Sequence, residues 1–414
     1  MGVEYSLLTL LCSVIVGTAL VRTGAFRLPE GGPSRFATLD GLRGLLALAV
    51  FFHHFAITYS WKSAGAWAPF GGVCYTNYGR VGVAIFFMIT GFLFTGKILK
   101  ARGKLDWCRL YESRVFRIIP LYLFVLGCIS LIVFIDSGFV LKSSPGELFH
   151  DYWRWLQFQS GSINRFPCTN LIIAGVEWTL RYEWAFYLSL PLLALVLSRG
   201  SWLLTGSLVL LCITLRIYPR IYGGLLSGHF LLFAVGCATA RLVTERPGPM
   251  QFARSHAGSF LAVGLLIAAI VYPITDTRDL VHVALIAGFF IIIAFGNSLF
   301  GLLRWKSVLL LGEISFSIYL IHGLVLYLLF THLKIADVSQ MDLTGYSFLM
   351  PFVASLVIAS SALTFLFIER PFIDLGKEYR ISRGLGLVAS LICRPFMRRA
   401  PQPPQSIPDG ASGQ

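Results

Sequence analysis

The sequence predicts an all-α integral membrane protein. Three observations carry this. Of 414 residues, 56% are hydrophobic and only 13% are charged, a balance that excludes a soluble domain with a single anchor. The apolar runs are spread over the whole length, as in one large membrane domain rather than several modules. The basic residues collect in alternate loops, the signature of a chain that crosses the bilayer many times.

Taken in order, the apolar runs give eleven candidate spans. The first, about residues 5–20, has no basic region ahead of it and is followed by Val21-Arg22 instead of a small-residue cleavage site. It is therefore a retained helix and not a signal peptide. Ten more follow at about 40–58, 79–99, 116–136, 177–197, 201–218, 225–243, 258–272, 280–299, 308–331 and 346–369. One set of loops holds Arg22, Arg27 and Arg35, the bases from Lys97 to Arg117, Arg199, Arg241, Arg246 and Arg254, Arg304 and Lys306, and the bases of the tail. The other set holds Asp136, Asp151, Asp276, Asp279, Asp337 and Asp342 with fewer bases. The first set is expected to be cytoplasmic, which leaves the N-terminus outside and the C-terminus inside. The net charge of +14 then reflects loop asymmetry, and no nucleic-acid partner is expected.

Two stretches fall outside the spans. Residues 137–175 read as a long external loop, whose Tyr152-Trp153-Arg154-Trp155 suits a membrane interface slightly better than a sugar-stacking surface. The tail after residue 374 is basic and then rich in proline, and is expected to be disordered, with residues 384–393 too short to span. The chain thus divides into an N-terminal transmembrane helix and connector (1–33), a membrane domain (34–374) and a tail (375–414). Eight cysteines show no zinc spacing, and no metal is expected. Cys74 and Cys168 fall in loops on one side, where an oxidising compartment would allow a disulfide.

The chemistry-bearing residues lie inside the spans. Asp40-Gly-Leu-Arg43 opens the second span and His54 follows eleven residues after Arg43. At about 100° per residue, His54 returns to within about 20° of Arg43 and about 40° of Asp40, while His53 points off that face. Ionisable groups at such depth normally face a protein interior or a water-filled cavity. The plainer alternative is a helix cap and a satisfied core histidine. Arg114 and Arg117, three apart at the cytoplasmic end of the fourth span, share a face and suit phosphate oxygens, although spacing alone also fits ordinary positive-inside residues. Glu183, in Trp178-Thr-Leu-Arg-Tyr-Glu183-Trp-Ala-Phe186-Tyr187, is expected about 9 Å below the outer end of its helix, and His54 about 6 Å below its own. At similar depth the carboxylate would fix the imidazole's tautomer, unless it pairs with Arg181. His322, with Tyr319 and Ser315, forms a polar track near the middle of a later span, where a hydrogen-bonded core histidine is the alternative. Gly82 to Phe92 is a small-residue stretch suited to close helix approach. Walker, GxSxG and HExxH patterns do not occur.

Six motifs in order carry a resemblance: Leu39-Asp-Gly-Leu-Arg43 with His54, Gly82–Phe92, Arg114-x-x-Arg117, Trp178–Tyr187, Gly312–His322 and Glu369-Arg370-Pro371. Over about residues 36–374 the chain resembles the membrane-bound acyltransferase family three. That resemblance implies a ten-helix core, to which the first helix is an addition. It also implies transfer of an acyl group from cytoplasmic acyl-CoA to a hydroxyl across the membrane. It makes His54 the catalytic histidine, with Glu183 and Asp40 beside it, and places the donor phosphates on Arg114 and Arg117 with Arg43. His322, Tyr319 and Trp178 become the candidates for acceptor contact. The chain departs from the family pattern at Ala84, Thr90 and Tyr182. The expected activity is O-acetyl transfer from acetyl-CoA to a sugar of an exported polysaccharide or lipid-linked glycan at the inner membrane. The competing expectations are a non-enzymatic transporter or glycan-export partner, and O-acylation of a small molecule or lipid.

Overall fold

The computed structural model describes residues 1–26, 37–101, 104–197, 202–217, 228–245, 248, 250–273 and 279–378. The expected disordered tail and the 384–393 segment lie outside these. The described residues are helical and contain no strand. In chain order the helices are α1 (Val3–Arg22), α2 (Ala37–Ala64), α3 (Val73–Ala101), α4 (Trp107–Asp136), α5 (Pro145–Leu156), α6 (Trp178–Leu197), α7 (Trp202–Ile217), α8 (Phe230–Glu245), α9 (Met250–Arg254), α10 (His256–Val271), α11 (Leu280–Ala294), α12 (Lys306–Glu313), α13 (Ser315–Tyr327), α14 (Leu343–Phe348), α15 (Met350–Thr364) and α16 (Arg370–Glu378). Seven helical stretches are long and apolar enough to cross a membrane. They cover seven of the expected spans, and the other four fall on the shorter α7, α8, α10 and α11. The chain is an all-α, multi-pass membrane protein.

Small residues decide which helices touch. A Cβ on Gly91 of α3 would collide with the Phe233 carbonyl, and one on Gly236 of α8 with the Met88 carbonyl. The two backbones therefore meet directly, the mode by which membrane helices gain packing without a hydrophobic drive. Gly44 of α2 and Gly312 of α12 make the same kind of contact, Gly312 against the Asp40 carbonyl. On α1 the usual polarity is inverted. Ser6, Thr9, Ser13 and Gly17 are buried, while Leu7, Leu11 and Ile15 are exposed, as expected where the surroundings are lipid. Ser6 Oγ donates to Tyr75 Oη (2.9 Å), and Thr9 and Ser13 return their hydroxyls to carbonyls one turn back.

Three expectations need correction. Helix α2 runs six residues beyond residue 58, and α3 starts at Val73, so Cys74 is helical and not in a loop. Cys74 and Cys168 are both free thiols. The single span expected at 308–331 is two helices, α12 and α13, meeting at Ile314. The stretch 137–175, expected as a loop, is in large part packed into the helical core. Trp155, Ile163, Asn164, Ile172 and Ile173 are fully buried, and a Cβ on Gly323 of α13 would strike the Ile173 carbonyl carbon. Two side chains organise this plug. Asn164 accepts at Oδ1 from the amides of Lys142 (2.7 Å) and Ser143 (3.2 Å), and donates to the Val140 carbonyl (2.9 Å). Tyr122 donates to the Trp155 carbonyl (2.6 Å). Amphipathicity analysis missed this because the buried residues follow turns and short 3₁₀ segments, which have no helical period.

Candidate functional site

Helix α2 carries both ends of the site. From Arg43 to His54 the helix rises about 16 Å, and the two residues lie on one stripe as the spacing predicts. His53 is held off that stripe: its Nδ1 donates to the Tyr75 carbonyl (3.0 Å) and its ring occupies the gap over Gly79.

The histidine end is neutral and aromatic. His54 Nδ1 lies 2.8 Å from His322 Nε2, with the two rings stacked at 5.0 Å. His322 is completely buried and its Nδ1 reaches the Ile318 carbonyl at 3.0 Å. Trp67 stacks on His54 from the other side (6.3 Å), and Phe51 meets His322 edge-on. His54 itself remains partly accessible.

The arginine end is charged. Arg43 lies in the field of Arg117, Asp40, Glu183 and Arg114. Asp40 lies in the field of both Arg43 and Arg117. Arg114 and Arg117 of α4 are half-buried while Val115 between them is exposed, and the Arg114 guanidinium also donates to Ser113 Oγ (3.1 Å). Lys97 joins them from α3, with its ammonium 5.1 Å from the Phe94 ring centre and Arg114 over the same ring at 5.5 Å. On the far side Glu369 is buried and hydrogen-bonded by Ser317, within the field of Arg117 and Arg43.

Between the two ends lies a cavity of about 70 Å³, lined by Arg43, Phe86, Thr179, Glu183, Ser315 and Tyr319 among others. Tyr319 Oη and Thr179 Oγ1 share a 2.9 Å hydrogen bond across it. Tyr319 then leads to His322, with ring centres 6.3 Å apart.

The placement of the sequence-derived residues is therefore uneven. Arg43, Arg114, Arg117 and Asp40 come together, as do His54 and His322. Glu183 does not partner His54. It accepts from Thr90 Oγ1 (3.3 Å), touches Tyr187 and faces Arg43. Helix α2 extends to Ala64, six residues past its expected end, so His54 lies further from the end of its helix than the spacing implied. Trp178 packs against Phe87, Tyr182 and His229, away from the histidine pair. Lys97, Thr90, Thr179, Ser317 and Glu369 had no site role from the sequence. Lys97 stood among the clustered bases, Thr90 within the Gly82–Phe92 stretch and Glu369 at the head of the Glu369-Arg370-Pro371 motif, while Thr179 and Ser317 lay in the Trp178–Tyr187 and Gly312–His322 motifs.

A model of acyltransferase domains matches residues 36–368. A Bacillus subtilis (strain 168) protein, YrhL, provisionally named a peptidoglycan O-acetyltransferase, is 27% identical over 333 residues, 70% of this chain and 48% of that protein. Nodulation protein 10 of Rhizobium leguminosarum bv. viciae is 27% identical over 41% of this chain and 47% of its own length. Acyltransferase MdmB of Streptomyces mycarofaciens is 29% identical over 38% of this chain and 39% of its own. The chain thus spans about half or less of each of these relatives. No solved structure matches. With the match covering most of its length, the chain belongs to the acyltransferase-3 family.

Proposed function

We propose that the protein is an inner-membrane O-acyltransferase that moves an acyl group, most simply acetyl, from cytoplasmic acyl-CoA to a sugar hydroxyl of an exported polysaccharide or lipid-linked glycan. The observation that carries this reading is the pairing of a four-cation cluster (Arg43, Lys97, Arg114, Arg117) with a neutral histidine pair one cavity away. The cations suit the donor's phosphates, with Arg114 and Arg117 offering planar forks. The cavity suits an extended thioester arm, and His54 suits a general base. The peptidoglycan named for one relative supports a sugar as acceptor. The basic loops, read as cytoplasmic, support an arginine end facing inside and a His54 nearer the outer face. The domain limits 34–374 and a cytoplasmic tail from 375 follow the same reading.

In the proposed reaction the acceptor oxygen attacks the thioester carbonyl carbon while His54 removes the hydroxyl proton. The C–S bond breaks, and the departing thiolate takes that proton back. Tyr319 and Thr179 lie where the acyl portion would pass. Glu183 and Asp40 act on the arginines and not on the imidazole, Glu183 by balancing the charge of Arg43 and Asp40 that of Arg43 and Arg117.

The test is transfer of label from acetyl-labelled acetyl-CoA to the glycan fraction by membranes carrying wild type or a well-expressed His54→Ala variant. Label reaching carbohydrate with wild type alone is the expected result. Equal label with both would remove His54 from the reaction. Unmodified substrate crossing the membrane with no thioester consumed would establish a transporter instead.

A further inference from the structure

Resting on that reading, we infer that His322 is a positioning residue: through a hydrogen-bond chain anchored on the Ile318 carbonyl it fixes His54 with its bare nitrogen, Nε2, available to the acceptor hydroxyl. The hydrogen positions follow from the chemistry of the partners. A carbonyl oxygen only accepts, so the 3.0 Å contact from the Ile318 oxygen requires a hydrogen on His322 Nδ1. A neutral imidazole carries one N–H, which leaves His322 Nε2 bare. The 2.8 Å contact to His54 Nδ1 then has one arrangement: His54 Nδ1–H donates and His322 Nε2 accepts. The single lone pair of neutral His54 is thereby left on Nε2.

Burial strengthens the assignment. His322 is fully enclosed, with Phe51, Tyr319 and Gly323 around it and the 169–174 segment pressed against Gly323. It has no route to exchange its hydrogen for a water contact, and leaving its Nε2 without a donor would cost the desolvation of that atom. His54, partly accessible, is the member of the pair that a substrate can reach. Other titratable groups near the pair are few. His53 is turned to Tyr75, and Tyr319 is engaged with Thr179 and the Val176 carbonyl. Among the described residues no carboxylate contacts either ring. The role that an acidic residue fills in other catalytic triads therefore falls to a second, neutral histidine.

In the transfer step the acceptor O–H bond breaks as the C–O bond forms, and the proton goes to His54 Nε2. His54 then holds two N–H groups, and its Nδ1–H remains on His322 Nε2, so the charge developing on His54 is met by a lone pair already in place. The proton returns from Nε2 to the leaving sulfur, and His322 keeps its own hydrogen throughout.

The test uses the full chain in lipid discs with acetyl-CoA as donor and the glycan fraction as acceptor. His322→Leu keeps the volume and removes the acceptor nitrogen, and His322→Gln restores an oxygen at similar reach. We expect His322→Leu to lower kcat on the order of 100-fold with KM for acetyl-CoA unchanged within about twofold, and His322→Gln to recover to within about tenfold of wild type. Nitrogen NMR of histidine-labelled protein, assigned by difference with His54→Ala, should show His54 protonated at Nδ1 in wild type and His322→Gln, and a mixture in His322→Leu. A hydrogen on His54 Nε2 in wild type overturns the inference, as does a His322→Leu enzyme with wild-type kcat. His322→Gln as inactive as His322→Leu, at unchanged thermal stability, also overturns it. If wild type transfers no acetyl group, the functional proposal fails, while the nitrogen spectra still read the tautomer independently.

Discussion

The two ends of the site hold polar groups in opposite ways. At the arginine end, four cations and three carboxylates from α2, α3, α4, α6 and the helical stretch just before α16 share one region, half-open to the surface. Charge is balanced over many partners, and no single contact defines the geometry. At the histidine end there is no formal charge. Two rings, one carbonyl and a wall of aromatic side chains define one arrangement. A diffuse electrostatic cluster tolerates the loss of a member, because its neighbours relax and water enters. A short, dry hydrogen-bond chain has no such reserve. The arginine end should therefore tune affinity, and the histidine end should decide turnover.

That contrast can be broken by experiment. The largest effect should come from His54→Ala, with kcat for acetyl transfer falling by about 10³-fold or more and the affinity for acetyl-CoA retained. A parallel loss of donor binding would show that the ends are not separable. The double variant Arg114→Ala/Arg117→Ala should act the other way, raising KM for acetyl-CoA by about 10–100-fold with a smaller change in kcat at saturation. Single variants at either arginine should each cost less than half of that free energy, and a single substitution that abolishes binding would refute the shared-cluster account. Gly323→Ala, whose methyl would meet the backbone at residues 173–174, should destabilise by about 1–3 kcal/mol and reduce kcat more than it raises KM. Thermal scans in detergent alongside kinetics would read both. The smallest effect belongs to the cap of α5. The Glu147 carboxyl is held below its usual range first by the Ser144 amide and then by Arg165. Its contribution to the cap is present above about pH 4.5 and is lost as pH falls through the lowered value. Amide protection at residues 144–147, corrected for the intrinsic exchange rate at each pH, should fall at low pH in wild type, and a protection independent of pH would refute the cap. Kinetics at the histidine end should not change with this cap.

Legibility in the sequence followed the same divide. The 100° stripe that joins Arg43 to His54 and excludes His53 was readable because both lie on one helix, where spacing fixes direction. The Arg114 and Arg117 pair was readable for the same reason. The His54–His322 contact joins positions 268 residues apart, and no spacing rule reaches that far. The error over Glu183 came from ending α2 near residue 58, when the helix runs on to Ala64. In the 137–175 stretch, an irregular buried segment leaves no period to detect. Every expected span found a helix, yet the break between α12 and α13 at Ile314 passed unseen because hydropathy is continuous across it.

The glycine contacts have a consequence for how the molecule serves two sides of a bilayer. Where the backbones of α3 and α8, and of α2 and α12, touch without intervening side chains, any sliding or rocking would drive Cβ atoms of adjacent turns into carbonyl oxygens. Those four helices form a stationary frame. A protein that exposes its site alternately needs halves that move past each other. On the proposed reading, such a frame favours a fixed passage, in which the ligand's own length bridges the distance and the helices stay in place.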